Sequence, residues 1–192
     1  MCIRDSLNLY EACREAGTED RALVFTSTSK ITFAGGGVSA MAASPRNIGR
    51  QAALMLYQMV CYDKVNQLRH ARFLPDMAAV GRHMARHADI LRPKFELVLD
   101  VLDKELTSYG TWSKPLGGYF ICYRAPRGCA KRIVELCANA GVTLTPAGAP
   151  FPSGNDPEDS VIRIAPTYPP LEELQKVMEL FPLAVKLAAA GQ

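Results

Sequence analysis

The residues with the clearest potential for chemistry lie between positions 23 and 39. A β-prone run from Leu23 to Phe25 leads into hydroxyl side chains around one lysine, and a loop of small residues follows: Thr26-Ser27-Thr28-Ser29-Lys30-Ile31-Thr32-Phe33-Ala34-Gly35-Gly36-Gly37-Val38-Ser39. Small residues let the backbone approach a ligand closely, and successive N–H groups in turns form an anion-binding concavity. The segment therefore suits a phosphate-bearing ligand, with the Lys30 amine placed to form an imine with it.

Three common motifs fit this segment poorly. Gly35 to Ala40 satisfies the loose dinucleotide pattern G-x-G-x-x-G/A, but no acidic residue follows about 20 positions later in a second strand. A phosphate-binding P-loop needs its lysine after the glycines, and Lys30 precedes them. The nucleophile elbow G-x-S-x-G lacks its second glycine around Ser39. From the residues alone, a solvated lysine before a flexible glycine loop remains an equal alternative.

The composition is that of an ordinary globular protein. The chain has 192 residues, is 48% hydrophobic and carries a net charge of +3, too little to indicate a nucleic-acid partner. No apolar stretch is long enough to predict a membrane span. The six cysteines include no C-x-x-C pair and mostly fall in apolar patterns, which is typical of reduced thiols in a cytoplasmic protein.

The first elements predict an incomplete α/β domain. Residues 7–16 have helical spacing with Gly17 as the end signal, and the strand at 23–25 follows. These would be the back half of a β-α-β unit whose strand has nothing to pair with. We therefore expect the chain to be the carboxy-terminal part of a longer protein. Residues 1–6 fit no helix or cap pattern and are predicted to be an extraneous leader.

Helices dominate the next part of the sequence. The pattern predicts helices over 47–61, 63–73 and 76–106, the last broken or bent at Pro93. His83 and His87 stand at the spacing of a metal pair, but no third ligand accompanies them. A solvated basic face with Arg82 and Arg86 is the favoured interpretation, and His70 is given no role. No metal site is predicted.

From Trp112 onward the pattern predicts a small α+β domain. Strands are expected at 116–123, 142–145 and 161–166, and helices at 130–140 and 170–180. They would form an antiparallel sheet with helices on one face. Arg163 lies inside an apolar strand, where a guanidinium is costly unless paired. It suits a bidentate contact with a carboxylate, but from the residues alone an edge arginine reaching solvent is the favoured interpretation.

The longer run Ser27-x-Ser29-Lys30-x-Thr32-x-Ala34-Gly35-x-Gly37-x-Ser39 resembles the lysine motif of class I/II (fold type I) pyridoxal-phosphate aminotransferases. It is similar to the form found in an aspartate aminotransferase-like subgroup related to the aminotransferase domain of MocR-type regulators. Downstream landmarks of the family's small domain also occur, at 117–120, 141–146 and 161–165. The resemblance covers nearly the whole chain.

The resemblance implies a fold and a set of roles. The fold is α/β, the C-terminal portion of a PLP-dependent transferase fold, with residues 7–92 from the large PLP-binding domain and 93–192 as the small domain. Lys30 would hold pyridoxal 5'-phosphate as a Schiff base and shuttle a proton, Ser27 and Ser29 would contact the cofactor phosphate, and Arg163 would bind the substrate carboxylate. Aspartate is the expected donor and 2-oxoglutarate the acceptor, in a cytoplasmic homodimer without nucleic-acid or membrane partners.

Two departures from the family pattern matter. Val38 stands where many members carry an arginine that neutralises the phosphate, and Arg46 and Arg50 are not clear substitutes. The family's ring-stacking aromatic and the Asp that pairs with the pyridine nitrogen precede the lysine, outside this sequence. We therefore expect the chain alone to be inactive or nearly so. The alternatives are a PLP-binding effector domain of a MocR-type regulator and an autonomous α+β domain in which Lys30 is incidental.

Overall fold

The computed structural model describes residues 8–191. Within that range the chain divides into two compact units, residues 8–87 and residues 88–191. The predicted domain boundary between 92 and 93 stays a prediction, as does the leader, since residues 1–6 lie outside the described part. None of the helices in residues 8–191 has the length and apolar character needed to cross a membrane.

The first unit contains a helix, a strand hairpin and two further helices. Its elements are α1 (Leu9–Glu15), β1 (Leu23–Ser27), β2 (Ser39–Ala43), α2 (Pro45–Gln58) and α3 (Lys64–Phe73), with a short 3-10 turn at Glu19–Arg21. A long helix, α4 (Met77–Glu105), begins in this unit and continues into the second. The sequence predicts a break or bend at Pro93. The predicted break is wrong, because one helix is continuous through that residue.

Local sequence signals explain where these helices begin and end. Gly17, at φ +65°, follows α1 and donates its N–H to the Arg14 carbonyl, while Thr18 N–H donates to Cys13. This is a left-handed glycine cap. The side chain of Ser44 caps α2 by accepting from Asn47 N–H, with a proline next in the sequence.

The strand at Leu23 has a partner, contrary to expectation. β1 pairs with β2 in antiparallel register, from Leu23 opposite Ala43 to Ser27 opposite Ser39. The sequence Ser39–Ala43 is made of small residues and one methionine, which have little β propensity, so no strand is predicted there. Lys30 therefore lies in the loop of a hairpin.

The second unit is an antiparallel three-stranded sheet with helices. Its further elements are β3 (Thr111–Trp112), β4 (Ile121–Arg124), α5 (Ala130–Asn139), β5 (Val161–Ile164) and α6 (Leu171–Ala190), with a 3-10 turn at Pro152–Gly154. The strand order is β3-β4-β5, and Ile121 pairs with Ile164. Side chains from all three helices and both longer strands form one core: Val98, Leu102, Leu106, Ile121, Tyr123, Ile133, Cys137, Ile162, Ile164, Met178, Phe181 and Val185.

Three predictions for this unit need correction. Residues 142–145 form no strand, because Val142 N–H donates to the Cys137 carbonyl at the end of α5 instead of to a neighbouring strand. The strand predicted at 116–123 occupies Ile121–Arg124 only. The last helix continues through Pro182 to Ala190, because Ala184, Val185 and Ala188 beyond the proline are also buried in the core.

Candidate functional site

The β1–β2 hairpin fixes both ends of the loop that carries Lys30. Ser27 opposite Ser39 is the last strand pair. One residue further in, Thr28 N–H donates to the Val38 carbonyl at 2.8 Å, and Val38 N–H donates to Thr28 Oγ1 at 2.9 Å. The threonine hydroxyl thus extends the hydrogen bonding of the hairpin by one residue pair beyond the strands. The two ends of the loop are therefore held together.

Lys30 lies on a tight turn directly after β1. The N–H groups of Ile31 and Thr32 both donate to the Thr28 carbonyl at 2.9 Å, which closes the turn around the lysine. Ser29 N–H donates to Ser27 Oγ at 3.1 Å. The side chain of Lys30 is exposed. We call residues 28–32 the lysine turn.

The structure brings three of the four predicted site residues together. Ser27, Ser29 and Lys30 are adjacent at the end of β1, and all three are exposed. Ser27 accepts a hydrogen bond through its oxygen, so its own hydroxyl hydrogen is available to an anion. Two hydroxyls and one amine at this strand end are the donor types that a phosphorylated aldehyde needs.

The glycines pack the loop against the lysine turn. A Cβ on Gly37 would lie 2.9 Å from both the Cα and the backbone nitrogen of Ser29, closer than side chains tolerate. A Cβ on Gly36 would overlap the ring of Phe33 at 1.8 Å. Gly37 is therefore required for the loop to fold back on the chain, which is a structural use that the sequence interpretation did not include.

Helix α3 contacts this loop through two polar side chains. Asn66 Nδ2 donates to the Gly36 carbonyl at 2.7 Å. His70, 7% exposed, places Nε2 at 3.1 Å from Thr32 Oγ1 and Nδ1 at 2.9 Å from the carbonyl of Asn66. The sequence predicts no role for His70. The i, i+4 spacing of Asn66 and His70, which puts them on one helix face, is the signal that could have found them.

Helix α4 adds a second histidine. His83 Nε2 donates to the carbonyl of Ile31, and its ring packs edge-on against Phe73 at 5.1 Å and lies 4.5 Å from the ring of His87. The prediction that His83 belongs to a solvated face is wrong, because the side chain is half-buried against the lysine turn. In the described residues no group of three His, Cys, Asp or Glu side chains could hold a metal ion.

A groove beside the hairpin is separate from the lysine. It has a volume of about 670 Å³ and is lined by residues that include Phe25, Val38, Met41, Met55 and Asn66. Ser27, Ser29 and Lys30 are not among its lining residues.

Arg163 lies in the other unit, on β5 opposite Cys122. Its side chain is half-buried, and Cζ sits 4.5 Å from the centre of the Phe120 ring. Nε is buried without a hydrogen-bond partner among the residues that the structure describes. A buried guanidinium N–H is costly when unpaired, so the arrangement has unused capacity for an acceptor.

A buried aspartate fixes the start of this strand. Asp156 Oδ2 accepts from the N–H groups of Ser160 and Val161, both at 2.8 Å, and Oδ1 accepts from Glu158 N–H at 3.0 Å. Burial is the largest single influence on the pKa of Asp156 and would raise it, but these donors and the Arg124 charge together outweigh burial and lower it. The carboxylate thereby anchors the strand that carries Arg163.

Comparisons with known proteins identify relatives over nearly the full chain. The profile of the aspartate aminotransferase family matches residues 3–192. An aspartate aminotransferase of Corynebacterium glutamicum is 44% identical over 188 residues, which are 97% of this chain and 43% of that protein. A candidate aminotransferase of Corynebacterium diphtheriae superposes with a TM-score of 0.93 at 43% identity, covering 96% of this chain and 46% of that one.

More distant structures share the fold. The α-aminoadipate aminotransferase LysN of Thermus thermophilus, solved with N-(5'-phosphopyridoxyl)-L-leucine, has a TM-score of 0.79 at 22% identity and is matched over 96% of this chain and 46% of its own. These matches confirm the predicted fold, the C-terminal portion of the PLP-dependent aminotransferase fold. The chain spans less than half the length of these relatives.

Proposed function

The chain belongs to the aspartate aminotransferase family, and from this premise we propose that it is the carboxy-terminal part of a pyridoxal-phosphate-dependent transaminase. The proposed reaction moves an amino group from an amino acid to a 2-oxo acid. The observation that carries the proposal is the lysine turn, where an exposed lysine stands beside two exposed serines at the end of a strand.

The residues present fit the cofactor by the chemistry of their donors. Ser27 and Ser29 would donate hydroxyl hydrogen bonds to the phosphate, and Lys30 supplies the only amine in the lysine turn. Arg46, whose Nη1 lies 3.2 Å from Asp20 Oδ2, is engaged elsewhere and is a poor candidate for the phosphate cation.

The division of labour between cofactor and protein follows. When bound, pyridoxal phosphate supplies an aldehyde that condenses with an amine with loss of water, and a ring that withdraws electrons from the bond being broken. The Lys30 amine would accept the proton from the substrate α-carbon at Nζ and would deliver it from the same atom to the cofactor carbon that was the aldehyde. Its fixed turn limits the positions that Nζ can reach.

Arg163 is the proposed carboxylate site. Its guanidinium is held over Phe120, and its buried Nε lacks a partner within residues 8–191. A substrate α-carboxylate would supply the missing acceptor in a bidentate pair and would orient the α-carbon.

The finer properties are proposals that rest on relatives. The name of the Corynebacterium glutamicum relative supports aspartate as the amino donor, and we propose a 2-oxo acid such as 2-oxoglutarate as acceptor. A homodimer and a cytoplasmic location are proposed from the family resemblance.

The test uses the longest reading frame that contains this chain. The purified protein is loaded with pyridoxal phosphate, reduced with borohydride and mapped by peptide mass spectrometry. We expect the cofactor on Lys30, none on Lys30→Ala, and normal loading on Lys64→Ala, an exposed lysine at the start of α3. Addition of aspartate to the unreduced protein should change the absorption of the bound cofactor.

The other possible results of the loading experiment distinguish between the proposal and its alternatives. Cofactor on Lys30 that no amino acid changes would favour the alternative, an effector domain of a MocR-type regulator. Cofactor elsewhere, or no cofactor at all, would overturn the proposal. The 192-residue chain by itself is expected to have little or no transaminase activity.

A further inference from the structure

The lysine turn contacts a buried histidine of helix α3, and the residues of the turn itself do not account for this contact. His70, buried on α3, faces Thr32 at 3.1 Å and the carbonyl of Asn66 at 2.9 Å. A carbonyl oxygen only accepts, so Nδ1 carries a proton and donates to Asn66. Nε2 is then left for the Thr32 hydroxyl.

Thr32, together with Ile31, closes the turn around Lys30. Its N–H donates to the Thr28 carbonyl at 2.9 Å, and its hydroxyl also lies 3.0 Å from that oxygen. Whatever holds Thr32 therefore holds the far side of the turn in which Lys30 sits. Among positions 8–87 three residues are buried, and of these His70 is the one with a hydrogen-bond contact to the lysine turn.

Burying an imidazole ring costs more free energy than burying an apolar side chain of the same size. An apolar side chain of similar size would pack at no desolvation cost, whereas a buried ring must have both nitrogens satisfied. Here one nitrogen is satisfied by the helix itself and the other by the lysine turn. The second contact is the only described hydrogen bond of His70 to a residue outside α3.

We propose that His70 is a positioning residue, which holds the Lys30 amine in place through Thr32. The inference rests on the proposed function of Lys30 as the cofactor attachment site. An amine that attacks an aldehyde and later transfers a proton needs a narrow range of positions, and a loosened turn would broaden that range.

The first experiment measures the turn without cofactor. Amide hydrogen exchange of the peptide covering residues 28–38 is followed in the cofactor-free protein from the complete reading frame. Asparagine at position 70 can replace Nδ1 but does not reach Thr32, whereas glutamine can replace Nε2. We expect about tenfold faster exchange in His70→Asn, the size expected from one lost buried hydrogen bond, and near-normal exchange in His70→Gln. Thr32→Val should exchange at least as fast as His70→Asn, because it also removes the hydroxyl contact with the Thr28 carbonyl.

Two controls make the result specific. Arg72→Asn and Arg72→Gln, at an exposed position of α3, measure how the two residues differ in helix propensity alone. Exchange in Ile121–Arg124, a strand of the other unit, should be unchanged in every variant. The double variant His70→Asn/Thr32→Val should exchange no faster than Thr32→Val, because both substitutions break the contact between His70 and Thr32.

The second experiment measures the consequence for the cofactor. The apparent dissociation constant for pyridoxal phosphate, and the fraction trapped on Lys30 by borohydride, are compared across the same set. We expect weaker loading by about tenfold in His70→Asn and recovery in His70→Gln.

The outcomes separate the two proposals. If the wild type never loads pyridoxal phosphate, the proposed function fails, and hydrogen exchange still decides whether His70 orders the turn. If the wild type loads normally while His70→Asn, His70→Gln and Thr32→Val match it in exchange and loading, the inference is overturned. Additive effects in the double variant would also overturn it. If both His70 variants fail to fold, wild-type exchange and loading in Thr32→Val would overturn it as well.

Discussion

The two units of this protein treat their apolar residues in opposite ways. In the core of residues 88–191, the large side chains of Leu102, Tyr123 and Phe181 are each at most 1% exposed. In residues 8–87 only Ser44, His70 and Ala79 are buried, and two of these are polar. There Tyr57 and Val60 are each 90% exposed.

This difference shows where each unit obtains its order. The second unit buries its apolar residues within its own sheet and helices, so hydrophobic burial can stabilise it. The described part of the first unit is ordered by hydrogen bonds, caps and a hairpin around the lysine turn. Its exposed large apolar side chains include Phe25, Tyr57 and Val60.

The largest test of the comparison replaces one phenylalanine in each unit. Phe181→Ala should destabilise the 192-residue chain by about 3–5 kcal/mol, because it removes a buried ring that packs against Tyr123. Phe25→Ala, at 70% exposure, should change stability by less than about 0.5 kcal/mol. Urea unfolding measures both. Equal losses would mean that the first unit has a core of its own.

A second test compares buried and exposed aspartates. Asp156→Asn should cost about 2 kcal/mol at neutral pH, because a neutral amide loses charge-assisted bonds from Ser160 and Val161. Asp20 is exposed, and its pKa is lowered first by the Ser44 hydroxyl, against an opposing effect of burial and with help from Arg46. Asp20→Asn should therefore cost less in the same unfolding measurement.

The lowered pKa of Asp156 also predicts how the effect of Asp156→Asn on stability changes with pH. The folded-state pKa of Asp156 lies below its ordinary value of 3.8, so its ionised form stabilises the fold fully above that pH. That stabilisation is lost as the pH falls through the lower, folded-state pKa. The stability difference between wild type and Asp156→Asn should shrink with acidification over this range. A difference that stays constant with pH would contradict the assigned role of the carboxylate.

The smallest test uses the same cap in both units. Gly17 after α1 and Gly141 after α5 have φ of +65° and +86°, and no atom lies within 4 Å of a Cβ added at either one. Alanine should cost about 1 kcal/mol of backbone strain at each position. We expect Gly141→Ala to lower global stability, measured by urea unfolding, and Gly17→Ala to increase only local exchange of α1. A loss of global stability in Gly17→Ala would instead mean that α1 unfolds cooperatively with the core.

The sequence predicted what depends on nearby residues. The hydroxyl cluster around Lys30, the glycine caps and most helices follow from local patterns, and the structure has them. The strand predicted at 142–145 failed because the end of α5 takes the N–H of Val142. β2 was missed because its small residues have no strand signal, and its pairing is visible only across the hairpin.

The contacts that support the lysine turn could not be predicted for a different reason. Thr32 meets His70, and Ile31 meets His83, across long separations in sequence. Such pairs depend on how helices pack against a loop, and no periodicity in one segment specifies the partner in another. The roles of Ser27, Ser29, Lys30 and Arg163 themselves stay predictions that the loading and substitution experiments decide.

The hairpin also has a consequence for the order of events during folding. Ser27 and Ser39 are close in sequence, so their pairing closes a short loop, an event that takes about 1–10 μs in hairpins. Before Ile121 can pair with Ile164, the helix and two loops between them must be ordered, which carries a larger entropic cost. On a growing chain, the segment that presents Lys30 can therefore begin to pair before the sheet that presents Arg163 has been synthesised.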